Sequence, residues 1–258
     1  MEYSKAKRGA FDMRPLIVGN WKMNTFRADG SALVAGLVER RAEEDPGCDM
    51  LVCPPFVSIG LIEDMIAGSP ILLGAQDCHK EESGAYTGCI SAAMLSDAGC
   101  DFVIVGHSER RAQNYETDML VSEKAEAAHA NSLISIICVG ETLIDRDTGN
   151  TLSIVEKQLL GSIPKNANAQ NTVIAYEPVW AIGSGKTPTT TQITEVHDHL
   201  RMLLQNNFVN KSEFRILYGG SMNPGNAGEI LSIKNVNGGL VGGASLSVKD
   251  FWAICTSW

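Results

Sequence analysis

Eight short apolar runs, spaced by about 30 residues, most constrain what this 258-residue chain can fold into. They are PLIVGN from Pro15, DMLVCPP from Asp49, ILLGAQ from Ile71, DFVIVGH from Asp101, LISIICVG from Leu133, TVIAYEP from Thr172, RILYGG from Arg215 and GGLVGG from Gly238. Each is rich in Val, Ile or Leu without strict alternation, the pattern of strands buried on both faces of a parallel sheet. Helical periodicity fills the gaps. It is carried by Leu33, Leu37 and Val38 in residues 29–41, and by Leu120, Val121, Ala125 and Ala128 in residues 115–131. After Thr189 it is carried by Ile193, Val196, Leu200, Leu203 and Leu204. Thr189, with Gln192 three residues on, is a capping-box signature. Eight strand–helix units without a composition break predict an α/β fold, a single (β/α)8 barrel over residues 15–258, in preference to an open doubly wound sheet. Chemistry in such barrels sits at the C-terminal strand ends, so the last residues of each run are the candidates.

Composition narrows the partners. Apolar residues make up 44% and charged residues 20%, as in water-soluble globular domains. The formal net charge of −9 argues against nucleic-acid binding, which needs a basic surface, and means that an anionic ligand must be held by local groups. The seven cysteines are scattered, odd in number and without a C-x-x-C pair, which predicts reduced thiols in a reducing, cytoplasmic compartment. Residues 1–14, MEYSKAKRGAFDMR, carry charge but no apolar stretch and read as a flexible extension, not a signal peptide. No apolar run is long enough to cross a membrane, and no membrane partner is expected.

The strand ends carry distinctive groups. Run one ends in GNWKMN, which sets Asn20 and Lys22 at the rim, with Trp21 and Met23 expected to crowd the lysine. An ammonium there offers a point charge to an anion. Run four leads to His107, followed by Ser108, Glu109, Arg110 and Arg111. His107 is a candidate acid–base group or a hydrogen-bonded rim residue; a metal role is poorly supported, since the five histidines do not form a ligand cluster. His197 and His199, two apart on a predicted helix, point to different faces and are expected at the surface. Run six ends at Glu177, where burial is expected to raise the carboxyl pKa and make it a usable base, unless a nearby Lys or Arg pairs with it. Runs seven and eight end in glycine pairs beside Ser221 and at Gly242 and Gly243, which lets backbone N–H groups approach a phosphate. GSGKT at 183–187 suggests a nucleotide loop, but with Lys186 as its lysine that loop needs glycine at 180, where Trp180 stands. Pro178, an apolar middle, and Gly183 and Gly185 suit a hinged lid better.

GNWKMN, CPPF, GAQDCHKEESGAYTG, VIVGHSERR, ICVGETL, AYEPVWAIGSGK, LYGGS and VGGASL together resemble the triosephosphate isomerase family, in its order and over nearly the whole chain from about residue 15. The resemblance implies a TIM barrel, a homodimer, no cofactor, and interconversion of dihydroxyacetone phosphate and D-glyceraldehyde 3-phosphate. It implies Glu177 as the base and His107 as a neutral electrophile whose pKa is held low by a helix N-terminus. Lys22 and Asn20 would meet the enediolate charge, while Gly183, Ser221, Gly242 and Gly243 would hold the phosphate. Residues 178–186 would be the lid, with Ser108, Glu109, Trp180 and Tyr218 supporting the site. Thr87 and Arg110 would make the dimer contact. Two departures stand out. Ser184 replaces a usual threonine, and Cys89 replaces an acid that would meet the partner subunit's arginine, which puts the strength of the dimer in question. A related activity on a tetrose phosphate, a nucleotide-binding protein and a catalytically silent barrel are the competing readings. The intact Lys22, His107, Glu177 and lid favour the triose.

Overall fold

The computed structural model describes residues 14–182, 186–208 and 214–258. Each apolar run forms a strand: β1 (Leu16–Asn20), β2 (Asp49–Cys53), β3 (Leu72–Ala75), β4 (Phe102–Val105), β5 (Ile134–Val139), β6 (Thr172–Tyr176), β7 (Arg215–Tyr218) and β8 (Gly238–Val241). The strands run parallel in chain order and β8 closes on β1, so the sheet is a closed barrel and not an open one. The described helices are α1 (Arg27–Glu43), α2 (Ile59–Ile66), α3 (Ala92–Asp97), α4 (Ser108–Gln113), α5 (Asp118–Ala130), α6 (Leu143–Asp147), α7 (Thr151–Ser162), α8 (Thr190–Asn207), α9 (Ala227–Leu231) and α10 (Val248–Cys255). Closure depends on Gly238. Its φ is 144°, and a Cβ there would overlap the carbonyl oxygen of Leu16. Only glycine tolerates both conditions.

The strands lack alternation because both of their faces are buried. One set of side chains, including Leu16, Val18, Leu51, Ile104, Ala175 and Leu240, fills the barrel interior. The intervening set, including Ile17, Val52, Val103, Ile137 and Ile174, packs under the helices. This parity has a consequence at the rim. Asn20 continues the inward row Leu16–Val18, and Glu177 continues the inward row Val173–Ala175, so both fall at the mouth of the barrel.

The predicted capping box is present. Thr189 Oγ1 accepts from Gln192 N at 3.3 Å and Gln192 Oε1 accepts from Thr189 N at 2.9 Å. A cap of this kind contributes about 1 kcal/mol. The helix expected over residues 115–131 begins later, at Asp118, because the Thr117 side chain caps it by accepting from Leu120 N at 3.2 Å. Tyr115 lies outside that helix with φ 55°.

Two expectations fail. His197 is fully buried, not at the surface: it lies on the α8 stripe Ile193–Val196–His197–Leu200, four residues on from Ile193. It bonds Asn235 O at 3.0 Å and meets Tyr176 edge to face. Burial pushes its pKa down to about 4, which keeps it neutral. Met23 does not crowd Lys22. It is 96% exposed, while Trp21 is buried. All seven thiols are unpaired, six of them buried and Cys89 exposed. Among the described residues, no helix is long and apolar enough to cross a membrane.

Candidate active site

Asn20, Lys22, His107, Glu109, Glu177, Ser221, Gly242 and Gly243 come from five different strand ends and line one cavity of about 520 Å³ at the barrel mouth. His107 sits at the N-cap of α4 and Glu177 directly follows β6. Their side chains meet, with His107 Nε2 2.9 Å from Glu177 Oε1. Glu177 Oε2 accepts from Ser108 N at 2.8 Å. His107 Nδ1 accepts from Glu109 N at 3.2 Å. A backbone N–H can only donate, so Nδ1 carries no proton and the neutral ring presents Nε2–H to the carboxylate.

The electrostatics correct both pKa expectations. Burial alone would raise the Glu177 pKa, but the interaction with His107 and the N–H of Ser108 outweigh it, and the net shift is downward. Burial alone would lower the His107 pKa, but the facing Glu177 carboxylate outweighs it, and the net shift is upward. The reason is the same in both cases. Each group is the other's partner at 2.9 Å, and a short charge-assisted bond in a buried site overrides desolvation.

Lys22 is held in a left-handed backbone conformation, φ 53°, which is rare outside glycine and concentrated at functional sites. Three contacts maintain it. Lys22 N donates to Asn20 Oδ1 at 3.0 Å, Gln76 Nε2 donates to Lys22 O at 2.9 Å, and Lys22 Nζ reaches Glu109 Oε1 at 2.5 Å. Glu109 is half-exposed at the cleft. On the far wall, Ser245 N and Oγ donate to Gly242 O at 2.8 and 2.6 Å, which fixes the turn through Gly242 and Gly243. Gly242 borders the Lys22 side chain.

The segment after Glu177 is anchored at its start. Val179–Ala181 form a single 3-10 turn. Trp180 Nε1 donates to Glu141 Oε1 at 2.8 Å, and Ser221 Oγ donates to Ala181 O at 2.7 Å. Tyr218 Oη is buried and takes no partner among the described residues. Gly183 lies outside the described residues. Gln76 and Glu141 are supporting residues that the reading of the sequence passed over. Both follow apolar runs, at the ends of β3 and β5, so the strand-end rule marks their positions.

Thr87 sits in the exposed stretch 81–89. Arg110 is engaged within its own chain by Asp77 at 2.8 Å and Glu116 at 2.6 Å. Its charge is therefore balanced without an acid at position 89.

A carboxylate, a neutral imidazole and an ammonium converge at a barrel mouth beside a glycine-lined wall. That combination defines a (β/α)8 proton-transfer enzyme acting on a small anionic substrate. The family model described as triosephosphate isomerase matches residues 15–258. A triosephosphate isomerase of Afipia carboxidovorans is 52% identical over 248 residues, covering 94% of this chain and 96% of the relative. One of Bradyrhizobium diazoefficiens is 50% identical over 243 residues, covering 94% and 96%. The crystal structure of triosephosphate isomerase from Bartonella henselae superposes with a TM-score of 0.88 at 41% identity, covering 95% of this chain and 98% of that one. The chain belongs to the triosephosphate isomerase family.

Proposed function

We propose that this chain interconverts dihydroxyacetone phosphate and D-glyceraldehyde 3-phosphate through an enediolate, with Glu177 as the base. The observation that carries the reading is the Glu177–His107 contact at the barrel mouth. Glu177 must release a donor before it can take a proton from carbon. A substrate carbonyl oxygen placed at His107 Nε2 takes over that N–H and frees Oε1. Losing this donor weakens the main cause of the downward shift of the carboxyl pKa, so basicity rises as substrate seats. Nε2–H then polarises the carbonyl while Glu177 removes the proton from the neighbouring carbon. Lys22 and Asn20 meet the negative charge that develops on oxygen. The carbon proton returns to the adjacent carbon, the hydroxyl proton passes from one substrate oxygen to the other by way of His107 Nε2, and the electron pair never leaves the substrate, so the reaction balances without a redox cofactor.

Ser221, Gly242, Gly243 and, outside the described residues, Gly183 take the phosphate in this reading. Residues 178–186 close over it. The Ser221–Ala181 bond and the unpartnered Tyr218 hydroxyl support a second lid position, since a buried hydroxyl without a partner is costly. Residues 15–258 act as one catalytic domain with residues 1–14 as an extension, a division supported by the span of the family match. Unpaired thiols support a reducing, cytoplasmic setting.

The test is the coupled isomerisation assay with glyceraldehyde 3-phosphate and with a tetrose phosphate. The triose is the expected substrate, with kcat/KM at least about tenfold above the tetrose, since even one extra carbon in a closed site costs about 1–3 kcal/mol. Equal or better turnover of the tetrose contradicts the assignment.

The reading includes a homodimer. Met23, Val57 and Tyr115 are 96%, 94% and 83% exposed, apolar side chains that a partner subunit would cover in this reading. A cavity of about 200 Å³ opens among Met23, Phe56, Asp77, Arg110 and Gln113. We place the partner's Thr87-bearing arm in that cavity. Sedimentation across protein concentrations is expected to give a dimer at micromolar concentration; a monomer there refutes the arrangement.

A further inference from the structure

The backbone of Glu177 is set by its neighbour strand. Glu177 N donates to Val139 O, the last residue of β5, at 2.8 Å. The next residue, Gly140, lies so close that a Cβ on it would overlap the Glu177 carbonyl oxygen. One residue further, Glu141 O accepts from Val179 N at 3.1 Å, and the Glu141 carboxylate accepts from Tyr176 and Trp180. Residues 139–141 are therefore the seat of Glu177 and of the segment that follows it.

The Gln158 side chain holds the centre of that seat from the helix layer, while Arg146 of α6 reaches Glu141 Oε1 at 3.5 Å. Gly140 N donates to Gln158 Oε1 at 2.7 Å, and Gln158 Nε2 donates to Gly140 O at 3.1 Å. Gln158 is carried on α7, whose Thr151, Val155, Leu159 and Ser162 are buried, and α7 packs on β5, α5 and α8. Packing does not substitute for these two bonds. A cavity of about 240 Å³ lies between Gln158, Gly140, Glu177 and Val179. Only a primary amide supplies one donor and one acceptor in this geometry; an ionised carboxylate supplies acceptors alone, and an alkyl group supplies neither.

We propose that Gln158 is a positioning residue for the reaction: by clamping both polar groups of Gly140, it fixes where the Glu177 carboxylate stands relative to the substrate carbon. The inference rests on Glu177 being the base. It predicts a selective effect on the proton-transfer step, because Gly242 and Gly243 line the cavity of about 520 Å³ at the barrel mouth and not the cavity of about 240 Å³ beside Gln158.

Two variants test it. Gln158→Leu is expected to lower kcat by about tenfold with KM unchanged within about twofold, since displacements well under 1 Å already erode a proton transfer. Gln158→Glu keeps the acceptor and regains the donor only when protonated. Its kcat relative to the unaltered enzyme is therefore expected to rise as pH falls from about 8 to about 5. The charged groups sharing the cavity are Arg111 and Glu177, and Arg111 is already engaged by Asp118, Ser162 and the carbonyls of Gly106 and Cys138. An unchanged kcat in Gln158→Leu with only a lowered unfolding midpoint overturns the proposal, as does a flat pH ratio for Gln158→Glu. If Gln158→Leu does not fold, the pH ratio decides alone. Glu177→Ala separates the two readings: if it remains active the base assignment fails, and if it is inactive while both Gln158 variants behave as the unaltered enzyme, only the positioning role fails.

Discussion

Glu177→Gln is expected to lower kcat by about 10²- to 10⁴-fold, the range over which a positioned general base contributes, while KM moves only a few-fold. The variant suits the purpose because it preserves the surroundings. Glu177 is 1% exposed and accepts from His107 Nε2 and Ser108 N. An amide oxygen retains one acceptor in that space and adds no charge. Far-ultraviolet circular dichroism and the unfolding midpoint should therefore stay close to those of the unaltered protein. A large loss of structure would mean that the carboxylate was holding the fold together, and a small loss of kcat would mean that another group takes the carbon proton.

Lys22→Met carries the second large effect, a fall in kcat/KM of about 10²- to 10³-fold, as expected when one preorganised donor to a developing oxyanion is removed. Two terms contribute. The chain carries a net charge of −9, so Lys22 is a local exception to a field that repels an anionic substrate. Its loss also leaves Glu109, now without its ammonium, facing the cleft as an unpaired negative charge. KM should rise together with the fall in kcat. Lys22→Arg is not expected to restore activity, because a planar guanidinium cannot take the place of a compact ammonium held at φ 53° between Asn20, Gln76 and Glu109. Steady-state kinetics on the three proteins decide this. An unchanged kcat/KM in Lys22→Met removes the lysine from the site.

The barrel was legible because burial on both faces leaves a visible mark. Runs such as DFVIVGH have no polar alternation, since Phe102 and Ile104 fill the interior while Val103 and Val105 meet helices. The same parity sends Asn20 and Glu177 to the mouth, so the strand-end rule found them. Gln76 and Glu141 also follow runs, after β3 and β5, but an amide and a carboxylate there carry no signal that separates support from a solvated rim. His197 was misplaced for a different reason. Its spacing to His199 carries no information on burial, whereas its spacing to Ile193 decides which face of α8 it occupies. The pKa shifts of Glu177 and His107 were beyond sequence reasoning. Burial acts on each residue singly, whereas the observed directions come from a contact between residues 70 positions apart, and one sequence does not reveal which rim groups touch. Gln158 illustrates the same limit. Nothing in TLSIVEKQLLGS marks its amide as different from any half-buried helix side chain until Gly140 is seen against Glu177.

The central claim is that Glu177 removes and returns a proton on carbon beside the carbonyl. The most direct measurement is exchange in heavy water: incubate dihydroxyacetone phosphate with the protein in D2O and follow deuterium at that carbon by NMR. The account predicts stereospecific incorporation of a single deuterium by the unaltered enzyme and its near-complete loss in Glu177→Gln. Exchange by Glu177→Gln at the rate of the unaltered enzyme would contradict it.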